Sequence, residues 1–252
     1  MRWMCFAGLL AGLVALNLPA RADDKPADDK AVRALIEKAV EKSGGKDKLA
    51  MLANHVLLAK GTLDVEGVPV EFTAETTYHL PGKAESKLHL ETQGKKLDLV
   101  QTIDGDHGSA KINGEDKKLE GAHLAEALEE IYGQRVGQLF PLLEDKDFTL
   151  SALPEAKVEG KPASGVKVSA KGHKDLELYF DKESGLLVKS VRQTVDPRSM
   201  KEHRREIFYT DPKDAAGGPK YAGKMLVLDD GKKVAEVTVT ELKFPGEVKK
   251  TP

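Results

Sequence analysis

The chain has 252 residues, with 39 lysines and arginines against 41 aspartates and glutamates and a formal net charge of −2. That balance argues against a nucleic-acid binder, which carries a basic excess or stripe. A hydrophobic content of 40% is enough for a core and too high for a disordered chain.

Arg2 gives a short positive start, and Trp3 to Leu16 holds no charged or strongly polar side chain. Pro19 breaks this run, and Ala20-Arg21-Ala22 follows as a small-residue cleavage site. The pattern is that of a secretory signal peptide over residues 1–22, with cleavage expected after Ala22. An uncleaved anchor is the other reading, but the run is short for a span of about 20 residues. Cleavage removes Cys5, the only cysteine, and leaves 37 basic against 41 acidic residues, a net charge of −4. The mature chain is then expected to be periplasmic or secreted, with no disulfide, no cysteine metal ligand and no later segment able to span a bilayer.

Residues 23–30 read as a charged linker, and residues 31–250 as one domain. Ala31, Val32, Leu35, Ile36, Ala39 and Val40 recur as one stripe of an amphipathic helix, capped by Asp28 or Asp29 and stopped at Ser43-Gly44-Gly45. Leu49 and Leu52 suggest a second short helix before Asn54. From His55 the signals are those of strands, and the period soon becomes two. Val68, Val70, Phe72, Ala74, Thr76, Tyr78 and Leu80 alternate with polar residues, as in a strand with one face buried. Pro81-Gly82, Gly94 and Asp104-Gly105 mark turns in a meander of about five strands ending near Asn113.

Leu124, Leu128, Ile131, Tyr132, Val136, Leu139 and Phe140 then fall at helical spacing, and Pro141 ends or kinks that helix. Strand signals resume at Phe148 and run to Phe244, with turns at Asp181–Gly185 and Asp229-Asp230-Gly231. Short turns between strands exclude a parallel α/β design. The expected fold is mainly β: a strongly curved antiparallel sheet, an open half-barrel of 10–12 strands, with the two main helices covering its concave face.

This order of elements carries a resemblance. Gly44-Gly45 and Leu49 precede a strand ending Lys60-Gly61-Thr62, and Thr102-Ile103-Asp104-Gly105 precedes the mid-chain helix. Val166-Lys167-Val168-Ser169 leads into Leu178-Tyr179-Phe180-Asp181-Lys182-Glu183-Ser184-Gly185-Leu186-Leu187-Val188-Lys189. That hairpin resembles the one typical of the lipoprotein-carrier (LolA/LolB-like) superfamily of exported lipid binders and envelope-stress sensors. The resemblance covers residues 31–244 and implies an open β-barrel with a helical lid over an apolar cavity for acyl chains. Of the arginines, only Arg135 suggests itself for the residue that latches the carrier's lid.

Local chemistry points the same way. The seven histidines show no converging metal-ligand spacing, and Asp104-Gly105-Asp106 does not continue as a calcium loop. There is no G-x-S-x-G elbow and no phosphate loop. A basic run, Arg198, Lys201, His203, Arg204 and Arg205, fits either an anionic head-group contact or a solvated hairpin tip. Val70, Phe72, Tyr78, Leu88, Leu90, Leu99, Leu178 and Phe180 are the candidate walls of a ligand cavity, or else an ordinary core. The expected function is non-enzymatic and without cofactor: an exported binder of an acyl chain, lipid or lipoprotein anchor. The alternative is an envelope interaction or sensing module with a protein partner.

Overall fold

The computed structural model describes residues 29–245 apart from 66, 93 and 198. The leader, its cleavage site and residues 23–28 of the linker lie outside the described residues.

Helix α1 (Asp29–Lys42) takes in the last two residues of the expected linker. Of the stripe read from the sequence it buries Val32, Ile36, Ala39 and Val40, while Leu35 is half-buried and Ala31 exposed. Gly44, at φ +114°, turns the chain out of it. Helix α2 (Lys46–Ala50) and a 3-10 turn (Met51–Ala53) lead to six strands: β1 (Asn54–Val65), β2 (Val68–His79), β3 (Lys83–Thr92), β4 (Lys95–Asp104), β5 (His107–Ile112) and β6 (Glu115–Lys118). Helices α3 (Gly121–Gly137) and α4 (Pro141–Glu144) follow. Pro141 opens α4 at its first turn, where its missing N–H costs nothing. Seven more strands complete the chain: β7 (Phe148–Val158), β8 (Lys161–Ala170), β9 (Leu176–Asp181), β10 (Leu187–Val195), β11 (Glu202–Asp214), β12 (Lys220–Asp229) and β13 (Lys232–Lys243).

All thirteen strands form one sheet in the order β6-β5-β4-β3-β2-β1-β13-β12-β11-β10-β9-β8-β7, every neighbouring pair antiparallel. The sheet is therefore open, with β6 and β7 as its two edges. The count exceeds 10–12 mainly through β6, whose four exposed charged residues offer no alternation to read.

Register puts the apolar residues on one face. Leu63 pairs with Val70, Phe72 with Leu90, Tyr78 with Ala84, and Leu88 with Leu99. Across the sheet, Leu178 pairs with Ser190 and Ser190 with Ile207. The helices cover this face. The β1–β13 closure needs Gly61: a Cβ there would sit 1.9 Å from the Glu236 carbonyl oxygen.

The main core fills one half of the sheet. Val32 and Ile36 of α1, Tyr132 and Val136 of α3, and Leu142 of α4 pack with Phe148, Val166, Val168, Leu176, Leu178 and Phe180. The hairpin that carried the resemblance braces this half. Asp181 Oδ1 accepts hydrogen bonds from Ser184 N (2.7 Å) and Ser184 Oγ (2.8 Å). Lys38 Nζ of α1 donates to the Lys182 carbonyl at 3.0 Å. The family-like segment is thus a turn pinned from within and clamped by the first helix.

Candidate ligand pocket

Helix α3 reaches from one wing of the sheet to the other. At its start it rests on β5, where Gly108 leaves the space: a Cβ there would meet Leu119 at 2.7 Å and Leu124 at 2.8 Å. On its far side it is held by polar contacts. Glu126 accepts from Val195 N at 2.9 Å and pairs with Lys174 and with Arg192 (3.4 Å). Glu129 accepts from His173 Nδ1 at 3.0 Å and from Lys174 N at 3.1 Å. Glu130 pairs with Arg192 at 2.9 Å. The His173 ring stacks on Tyr132 with centroids 3.9 Å apart.

Arg192 is only 8% exposed and is shared between two glutamates of α3. Arg135 instead pairs with Asp145 and lies over Phe148, 5.2 Å from the ring centroid. The arginine that grips the helix is therefore Arg192, in the middle of a strand. Nothing in its local sequence distinguishes it.

Between α3 and strands β2–β4 lies a pocket of about 220 Å³. Its walls are Thr76, Tyr78, Ala84, Ser86, Leu88, Leu99, Gln101 and Ile103 from the sheet, and Ala127, Glu130 and Ile131 from α3. Small side chains (Ala84, Ser86, Ala127) make the room. A second hollow of about 230 Å³ lies on the other side of Ile131, among the Pro81-Gly82 and Gly105-Asp106 turns, Tyr132, Arg135 and His173.

Of the eight residues expected to line a cavity, Tyr78, Leu88 and Leu99 line this pocket. Val70 and Phe72, both buried, and Leu90, half-buried, share the same face nearer the β1–β2 and β3–β4 turns. Leu178 and Phe180 share the face as well but sit in the close-packed core beneath α1. Ile103 and Ile131 were legible as apolar positions. Gln101 falls in phase with Leu97, Leu99 and Ile103, so alternation puts it on this face, whereas nothing in the local sequence marks Glu130 or Arg192.

Burial shapes the titration here. Tyr78 is 7% exposed, and its removal from water, followed by the nearby Glu130 carboxylate, pushes its hydroxyl well above the usual tyrosine range. Its ring stacks on His55 at 4.8 Å. His55 Nδ1 donates to the Leu52 carbonyl at 2.8 Å. Burial lowers the His55 pKa, and that hydrogen bond opposes the shift.

The other candidate chemistry is accounted for by ordinary pairs. His79 bonds Asn54, and His89 bonds Asp98. Among the described residues no group of three or more His, Cys, Asp or Glu is placed to hold a metal. In the basic run, Arg205 makes a two-pronged pair with Asp229 (2.8 and 2.7 Å), His203 meets Asp230 at 2.7 Å, and Arg204 meets Glu206 at 2.6 Å. Among the described residues no helix is long and apolar enough to cross a membrane.

No family model matches the sequence, and no curated protein matches it. Solved structures do match. A domain classed as an outer membrane lipoprotein-sorting protein from Vibrio parahaemolyticus aligns over 88% of this chain and 95% of its own, at 9% identity and a TM-score of 0.51. A LolA superfamily protein from Nitrosomonas europaea aligns over 84% and 93%, at 10% identity and a TM-score of 0.53. The fold is that of the LolA superfamily. A DUF1329 family protein from Desulfovibrio piger shares it, at 10% identity and a TM-score of 0.55 over 86% of this chain and 94% of that one. In the LolA-like sheet of this protein, one half of the concave face carries the buried core beneath α1 and the other half keeps a hollow under α3.

Proposed function

We propose that this protein is an exported, non-enzymatic carrier that binds the acyl chain of a lipid or lipoprotein anchor beneath α3. The observation that carries the reading is the pocket between an apolar sheet face and a helix whose C-terminal half packs into the core while Glu126 and Glu130 tie it to Arg192. At about 220 Å³ it falls below the roughly 300–1,000 Å³ of pockets that engulf a whole ligand. A long chain enters only as α3 lifts. Burial of apolar ligand surface, worth about 25 cal/mol per Å² gross, drives binding. The lift breaks the Glu126 and Glu130 pairs with Arg192, groups that water can re-solvate. An interaction or sensing module remains the second reading because β7 is a free edge. Pro154 and the register break between Leu153 and Ala156 interrupt that edge as a template for a partner strand.

Native mass spectrometry of the gently purified protein is the test. We expect a bound lipid mass that disappears in Leu88→Arg, which puts a charge into the pocket wall. A wild-type protein that emerges bare and takes up no acyl compound would overturn the proposal.

A further inference from the structure

The pocket wall is not uniformly apolar. Thr76, Ser86 and Gln101 are direct partners on β2, β3 and β4, so they form a polar row straight across three strands. The rows on either side are mostly apolar: Tyr78, Ala84 and Ile103 toward one end, and Ala74, Leu88 and Leu99 toward the other. Thr76 Oγ1 and Ser86 Oγ lie 3.0 Å apart and bond to each other, which leaves one hydroxyl hydrogen free to donate. Among the described residues, neither the Gln101 amide nor the Tyr78 hydroxyl has a hydrogen-bond partner, and both line the pocket. Opposite them α3 presents Glu130, whose carboxylate only accepts. The cation beside it, Arg192, is already divided between Glu130 and Glu126.

Resting on the carrier reading above, we infer that the pocket selects a neutral acyl ester or amide over a free fatty-acid anion. The carbonyl oxygen of the ligand accepts from Gln101 Nε2 and the Tyr78 hydroxyl, and the hydrocarbon chain runs over Leu88 and Leu99. A carboxylate in the same place faces Glu130 with no unshared cation to offset it. Selectivity then comes from a repulsive element as well as an attractive one.

The test is equilibrium dialysis of labelled 1-monopalmitoylglycerol below its critical micelle concentration. The competitor is palmitate, fully ionised at pH 8. We expect it to bind at least tenfold more weakly than the monoester. Gln101→Leu should cost the monoester about fivefold, the loss of one neutral hydrogen bond, and leave palmitate unchanged. Glu130→Gln should narrow the gap between ester and palmitate. Palmitate binding as tightly as the ester would overturn the inference and leave the carrier reading intact. Failure of every acyl compound to bind would overturn both. The wild-type ratios decide the matter even if Gln101→Leu does not fold.

Discussion

Asp181 shows what a single carboxylate does in this fold. The Ser184 N–H and hydroxyl bond its ionised form and hold its pKa below the usual carboxylate range. The stabilisation is present above the unfolded-state value of about 3.9 and is lost as pH falls through the lower folded value. Asp181→Ala should cost about 1 kcal/mol at pH 7 by urea unfolding, with the difference from wild type shrinking as the pH is taken below 4. His55 works in the opposite sense. Its pKa is depressed by burial, so the unfolded chain takes up a proton near pH 6.5 while the folded chain still resists it. Stability therefore falls as pH drops below that value. We expect Tm to decline between pH 7.5 and 5.5, and His55→Phe, which keeps a ring against Tyr78 and cannot titrate, to flatten that part of the decline.

Helix α3 is the element on which the proposed binding turns, and Arg192 is a residue that fastens it. Removing a buried guanidinium leaves Glu126, itself only 16% exposed, with less compensation. Arg192→Ala should destabilise the protein by about 3 kcal/mol. It should also raise amide hydrogen exchange in residues 121–137 more than in α1, which is held by apolar packing. Exchange rising equally everywhere would mean that the pair serves the whole fold rather than this helix. The element scale is also where sequence reading succeeds and stops. The alternation from Val68 to Leu80 told which side chains share a face, because the strand period is two wherever the strand lies. It could not tell how far round the sheet each strand sits. Phe72 and Phe180 carry the same signal, yet Phe180 is sealed under α1, whereas Phe72 lies on the β1–β4 side, where the hollow is. Gln101 and Glu130 become pocket walls only once the register of β3 with β4 and the seat of α3 are known.

At the scale of the molecule, the decisive pairing is β1 with β13, which joins Val56 to Lys243 and Leu63 to Ala235. Two meanders, one from each half of the chain, become one sheet only there. A chain ending at residue 231 leaves β1 and β12 as raw edges. It should show no cooperative thermal transition by near-ultraviolet circular dichroism, whereas loss of β6, four exposed residues at a margin, should leave the transition in place. A different consequence follows from the opposite side of the sheet. Strands β6 and β7 never touch as a ladder, and the chain between them is the stretch that carries α3. The strap across the hollow is thus also the hem that joins its two margins. On the carrier reading, raising the strap tears no backbone hydrogen bond between strands, so the girth of a bound chain would be governed by a loose hem rather than by a fixed wall.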